Sequence, residues 1–405
     1  MKKLLEIALG IVTSVGGFLE IGSIATAAQA GAEFSFQLIW AIVLGGICII
    51  FLVEQSGRFA AVSGRTLPDA IRERFGFNYF AFMYLVVGFV SLMVLAAEIG
   101  GVCVALELGT GVGFQWWAIP VALVIWWVMW KGTFGVIEKG VSLLGLITLC
   151  FVVGAIIVHP PWGQVLRGAA PSLPQHDSAR YWFSAVSILG ASISPYLFFF
   201  YSAGAIEDEW KETHVGINRI IATGGMSFGS LISIAVLILA AMLLLPRGMK
   251  VDSYTELPML LIPVFGQKGF WLLVASLGIA CFGAALEITL QIAYLTAQGF
   301  GWNWSENQRP LDEARFSFTY TVIIALGIVP SLVGLDPLTM TVFSMALTAA
   351  TLPVSIVPFL FLMNDYSYVR VYRNSWFSNV VVISIIALAF VLAVVTIPLQ
   401  IFGGG

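Results

Sequence analysis

Three carboxylates stand where carboxylates are expensive. Glu20 in VGGFLEIGS, Glu98 in LMVLAAEIGGVC and Glu287 in CFGAALEITLQ each interrupt an apolar run. A charged side chain at the middle of a membrane helix costs about 2.5 kcal/mol or more on insertion scales, so such residues mark a partner, a cavity or a cargo. The chemistry open to them is to hold a cation or a proton. Glu20 has the most informative surroundings: Gly16, Gly17 and Gly22 weaken a continuous helix and permit unwound backbone with free carbonyls, and Ser23 follows three residues on. In LGASISPYLFFFYSA, Pro195 removes a backbone hydrogen bond and frees the carbonyls near Ala191. Proline kinks also occur in membrane helices with no binding role. Glu98 and Glu287 are open to direct participation, or to pairing with each other, with an arginine at a span end or with water.

The elements that must position these groups are membrane helices. The chain has 405 residues, 59% hydrophobic and 10% charged, against about 25% charged in soluble domains. A water-soluble globular protein is excluded. Hydropathy places spans near residues 5–30, 34–55, 79–106, 114–130, 141–158, 182–204, 218–245, 269–298, 315–334, 338–363 and 377–402. With the N-terminus inside, 14 of the 19 basic residues fall in inner segments, which predicts a cytoplasmic N-terminus and, for eleven spans, an outside C-terminus. Modest loops and a short N-terminus suggest a bacterial inner membrane. Glu6 and Glu20 break the first apolar run, so it reads as a broken membrane helix and not a signal peptide. Interruptions in the first and sixth spans are what a five-plus-five inverted repeat produces.

Several features carry no chemistry. A net charge of -3 without a basic stripe excludes nucleic-acid binding. Cys48, Cys103, Cys150 and Cys281 are single and read as core residues, and His159, His176 and His214 form no cluster. Gly225-Met226-Ser227-Phe228-Gly229 matches the G-x-S-x-G pattern of hydrolases, but it lies within an apolar span, where small residues serve close helix packing. Asn303-Trp304-Ser305 is a glycosylation sequon in an expected cytoplasmic loop. No enzyme activity and no cofactor are expected.

The stretch EIGSIATAAQAGAEFSFQLIW, followed by SGRFAAVSGRTLPDAIRERFG, resembles the first helices of the Nramp divalent-metal transporters. The likeness continues through LAAEIGGVCVALELGTG, GTFGVIEKG, LGASISPYLFFFYSA and LPVSIVPFLFLMND. The resemblance implies an all-α polytopic membrane protein of the leucine-transporter type: a single membrane domain over 1–405, with repeats at 1–160 and 180–365 and an additional helix at 375–402. The family's Asp-Pro-Gly-Asn is here Glu20-Ile21-Gly22-Ser23, and its Met-Pro-His is Ser194-Pro195-Tyr196. A second histidine becomes Tyr201, an acid preceding Glu98 becomes Leu95, and a span-ten glutamine becomes Met345 or Thr351 according to alignment.

Loss of the methionine leaves an inferred set of oxygen donors: the Glu20 carboxylate, the Ser23 and Ser194 hydroxyls and the Ala191 carbonyl. Oxygen donors suit a hard cation, with magnesium favoured and manganese possible. A divergent Nramp-related branch that carries magnesium without the sulfur ligand is a precedent. Glu98, Glu287, Tyr196, Tyr201 and Thr351 are the expected pathway or secondary ion positions. Loss of both histidines and of the span-three acid predicts transport without proton coupling. The alternatives are a carrier of a small polar organic solute such as an amino acid or amine, with Glu20 binding the amine, and a sensor-like protein that has lost its substrate. Beyond the cargo and the lipid bilayer, the sequence names no partner.

Overall fold

Small residues dominate the centre of the bundle because backbones must approach closely there. In the computed structural model, which describes residues 20–131, 140, 143, 145–305 and 308–402, helix α1 (Ile21–Phe34) is built largely from alanine, glycine, serine and threonine and is almost wholly buried. Its Gly31 lies against the Leu237 carbonyl and Ala240 Cβ of a neighbouring helix, leaving no room for a side chain. Gly16 and Gly17, together with most of the first expected span, lie outside the described residues.

Around α1 run α2 (Ile39–Ser63), the short α3 (Leu67–Phe75), α4 (Phe77–Thr110), α5 (Phe114–Trp130) and α6 (Leu149–Ile157). Next come α7 (Ser178–Ser192), α8 (Pro195–Glu207), α9 (Val215–Leu243), α10 (Gln267–Phe300), α11 (Ala314–Gly327), α12 (Pro337–Asn364) and α13 (Trp376–Phe402). Among the described residues there is no strand, and eight helical segments are long and apolar enough to cross a membrane. The expected fourth and fifth spans contain the shorter apolar helices Phe114–Trp130 and Leu146–Ile157. Trp116, Leu123 and Trp127 on α5 and Phe377, Val391 and Val394 on α13 are exposed, an apolar surface suited to lipid.

Two helices, α4 and α10, pack side by side. Each has 34 residues, about 50 Å of helix at 1.5 Å per residue, so both tilt or project beyond a hydrocarbon core about 30 Å thick. The G-x-S-x-G match lies inside continuous helix α9, with Gly225, Met226 and Gly229 buried, so no hydrolase elbow forms.

At one end of the bundle the final helix is tied to α2 by a buried polar network. Arg58 donates to Glu54 Oε1 at 3.0 Å, to Asn374 Oδ1 at 3.0 Å and to the Tyr372 carbonyl. Gln55 donates to Ser378 Oγ at 2.9 Å. At the opposite end Arg180, on α7, pairs with Glu33 of α1 at 2.5 Å and approaches Asp252 at 3.9 Å.

Candidate functional site

The site lies where two helices start or stop at the same depth. Glu20 is extended, with φ -105° and ψ 165°, and the helix begins at Ile21. On the facing chain α7 ends at Ser192, Ile193 leaves helical geometry at φ -117° and ψ 56°, and Ser194 is extended before Pro195 opens α8. Proline at a first helical position has no N–H to waste and a φ already set for helix, which explains why the new helix starts there.

Across this gap Ser194 Oγ donates to Glu20 Oε1 at 3.0 Å. The same hydroxyl is 3.3 Å from the Gly190 carbonyl oxygen and 3.5 Å from that of Ala191. Three acceptor oxygens thus converge on one hydroxyl hydrogen, which can serve only one of them well. Glu20 is 1% exposed, and its Oε2 has no hydrogen-bond partner. The Tyr196 phenol interacts with the same carboxylate. Among the described residues no salt bridge involves Glu20 or Glu98, and no group of three or more His, Cys, Asp or Glu side chains is close enough to hold a metal. A cation here would therefore lean on hydroxyl and carbonyl oxygens as well as on one carboxylate.

Glu98 has a different task. Its carboxylate accepts the Ile21 N–H, with Oε1 at 3.0 Å and Oε2 at 3.3 Å. It therefore closes the N-terminus of α1, where unpaired N–H groups and the helix dipole favour an anion. Glu287 is buried on α10 and, with Glu20 and Glu98, lies within electrostatic reach of Tyr196. Ser23 is buried in the first turn of α1, and one turn later Thr26 Oγ1 donates to the Gly22 carbonyl at 2.7 Å.

Tyr201 stands apart from this group. It packs against Gly57 and edge-on to Trp210, 5.8 Å between ring centres, near the network that holds the last helix. Six positions beyond Pro195, it lies away from the Glu20–Ser194 contact, towards the bundle end. The three histidines are equally remote. His176 contacts the Glu33 carbonyl, His214 the Lys211 N–H, and His159 lies in a turn with φ 48°.

Helix α12 passes the start of α1 and the α7–α8 break at Met345. A Cβ built on Gly22 would stand 2.8 Å from Met345 Sδ, and a Cβ on Gly190 would collide with the Met345 carbonyl. A thioether thus touches the site's edge, a contact absent from the oxygen-only donor set drawn from the sequence. Thr351 lies farther along α12 and borders, with Ser91, Ser194, Tyr196 and Thr348, a gap of about 10 Å³, room for about one water. On the Glu33 side a cavity of about 320 Å³ reaches Thr26, Gln29, Ser187, Arg180 and Asp252. Sequence reasoning missed Ser91, Thr348 and Gln29. The signal available was the hydroxyl stripe Thr341, Ser344, Thr348 and Thr351, whose spacing keeps one helical face.

A helix that starts beside a buried carboxylate and faces a break in a second helix, within an all-helical membrane bundle, fits the architecture of leucine-transporter-type secondary transporters. A family model described as natural resistance-associated macrophage protein-like matches residues 10–398, and the chain belongs to this Nramp family. The divalent metal cation transporter MntH of Caldanaerobacter subterraneus subsp. tengcongensis is 24% identical over 388 residues, covering 93% of this chain and 88% of that protein. MntH of Deinococcus radiodurans is 25% identical over 363 residues, covering 86% and 79%. The crystal structure of the Eremococcus coleocola manganese transporter with an aromatic bis-isothiourea substituted compound aligns at TM-score 0.77 and 20% identity, covering 98% of this chain and 87% of that one. MhsT in complex with L-phenylalanine aligns at TM-score 0.61 and 16% identity, covering 96% and 97%. At such identities the solved structures speak to the fold alone. The named relatives are transporters, not enzymes.

Proposed function

We propose that this protein moves divalent metal cations across the membrane by alternating access, with Glu20 as the charge that holds the cargo between α1 and the α7–α8 break. The observation that carries the reading is the buried Glu20 Oε2, without a hydrogen-bond partner beside a cluster of carbonyl and hydroxyl oxygens. Magnesium is the favoured cargo on that oxygen set, because it binds through one or two carboxylates and keeps several of its waters. Manganese, named for the Eremococcus coleocola relative, is the second reading, and Met345 Sδ against Gly22 favours it, since a thioether prefers a softer ion.

The reading includes uncoupled movement, because none of the three histidines is near the site. It also includes repeats at 1–160 and 180–365, the additional helix at 375–402, a bacterial inner membrane, a cytoplasmic N-terminus and an outside C-terminus. Supporting that orientation, Arg58, Arg74 and Arg370 gather at one bundle end, bound to Tyr372, Asp365 and Glu212.

The test is titration of purified protein and Glu20→Gln with magnesium, manganese and cadmium, followed by proteoliposome uptake with a pH dye inside. Expected are metal binding by the parent, at least 100-fold weaker binding by the variant, and uptake without proton entry. Cadmium binding that is tight and lost in Met345→Leu selects the sulfur-assisted site. Silence with all three metals transfers the fold to a polar organic solute.

A further inference from the structure

Helix α10 carries more buried polarity than the site uses. Glu287, Gln291, Tyr294 and Gln298 follow at intervals of four, three and four residues, which at about 100° per residue keeps them within an arc of about 60° on one face. Along the axis they extend about 16 Å, half of a hydrocarbon core about 30 Å thick. Gln291 is 0% and Gln298 1% exposed, and the amide oxygen and nitrogen of both lack hydrogen-bond partners. Buried amides almost always find partners, and a side chain left with both atoms unserved calls for a ligand or water that serves it at some stage.

We propose that this face of α10 is a polar track along which a hydrated divalent cation passes between the Glu20 region and the bundle end that carries Arg72. The inference rests on the transport reading above. One end of the track adjoins the site, because Tyr196 lies within electrostatic reach of both Glu20 and Glu287. The other end comes near the surface: Arg72, whose side chain is 34% exposed, donates to the carbonyl of buried Gly299, the residue after Gln298, at 3.0 Å. Between them Tyr294 is collared by Trp304 at 5.1 Å, Phe316 at 5.3 Å and Phe200 at 6.2 Å between ring centres, a constriction on an otherwise polar face. The residue types suit a conduit. Passage needs sites that bind well enough to admit an ion and weakly enough to release it. Neutral amides meet that need: their carbonyls accept a cation or the hydrogens of its water shell without the grip of a second carboxylate.

Two measurements test the track. In the first, Gln291→Cys, Gln298→Cys and the control Ala293→Cys, about 160° from Gln291 and about 140° from Gln298 around the same helix, are exposed to a positively charged methanethiosulfonate reagent without metal. Labelling of both glutamine positions at least ten times faster than the control and the parent's own cysteines is expected; equal rates overturn the track. In the second, Gln291→Leu/Gln298→Leu is compared with the parent for manganese binding and uptake. Expected are an affinity within twofold and uptake at least tenfold slower. Uptake at the parental rate, with a raised Tm from removing unserved polar groups, identifies the amides as structural and overturns the proposal. A parent that binds and moves no metal removes the transport reading, whereas the labelling decides by itself whether the face is open to water.

Discussion

Glu98 illustrates how a residue's environment chooses among roles that its type leaves open. A carboxylate inside a membrane span could hold an ion, pair with a base or serve a helix end, and here it receives the Ile21 N–H from 77 residues away. Glu20 instead points one oxygen at Ser194 and leaves the other unserved. The division of labour predicts opposite phenotypes for the same substitution. Glu98→Gln keeps the shape but removes the charge at the α1 N-terminus, which costs about 1 to 2 kcal/mol. It should lower Tm in detergent with metal absent, while Glu20→Gln should lose binding and keep Tm or raise it.

The start of α1 and the α7–α8 break share one neighbour, α12. Gly22 of α1 meets the Met345 side chain, and Gly190 of α7 meets the Met345 carbonyl. Gly190→Ala would drive a Cβ into backbone, which yields less readily than a side chain, so the expected cost is about 3 kcal/mol, the upper part of the range for overpacking. Thermal unfolding followed by tryptophan fluorescence should show a drop of several degrees. Metal affinity should fall with it, because the Gly190 carbonyl lies 3.3 Å from Ser194 Oγ. Pro195 made the α7–α8 break legible before any coordinates, since it acts on its own backbone, whereas Gly22, expected to help unwind the first helix, lies in the first turn of α1. The passage of α12 was not legible, because Met345 lies more than 150 residues from Gly190 and an apolar methionine carries no mark of what it touches.

For the molecule as a whole, most charged side chains outside the central carboxylates Glu20, Glu98 and Glu287 lie at the ends of the bundle, where a carboxylate's partners shape its response to pH. Asp365, just beyond α12, accepts from Ser367 Oγ at 2.6 Å and Ser367 N–H at 2.9 Å and pairs with Arg74 at 3.3 Å. The serine contacts, helped by Arg74, hold its carboxyl below the ordinary value of 3.8. A depressed folded value means that the stabilisation is complete above about pH 4 and disappears as pH falls through the folded value. Asp365→Asn should therefore flatten the acid limb of a Tm-against-pH curve below about pH 4 and lower Tm slightly at pH 7. The pair is exposed enough that its contribution is small.

The apolar composition, the run of membrane helices and the α7–α8 break follow from the sequence alone. Each depends on a residue's own cost in lipid or its own effect on the backbone. Tertiary structure decided the rest: that Glu98 caps α1, that Met345 touches Gly22, that Tyr201 packs against Trp210 and Gly57, and that Gln291 and Gln298 lie buried without partners. These are contacts made through space between segments far apart in the chain, and the free energy of burying or pairing a group exists only once the folded neighbours are present.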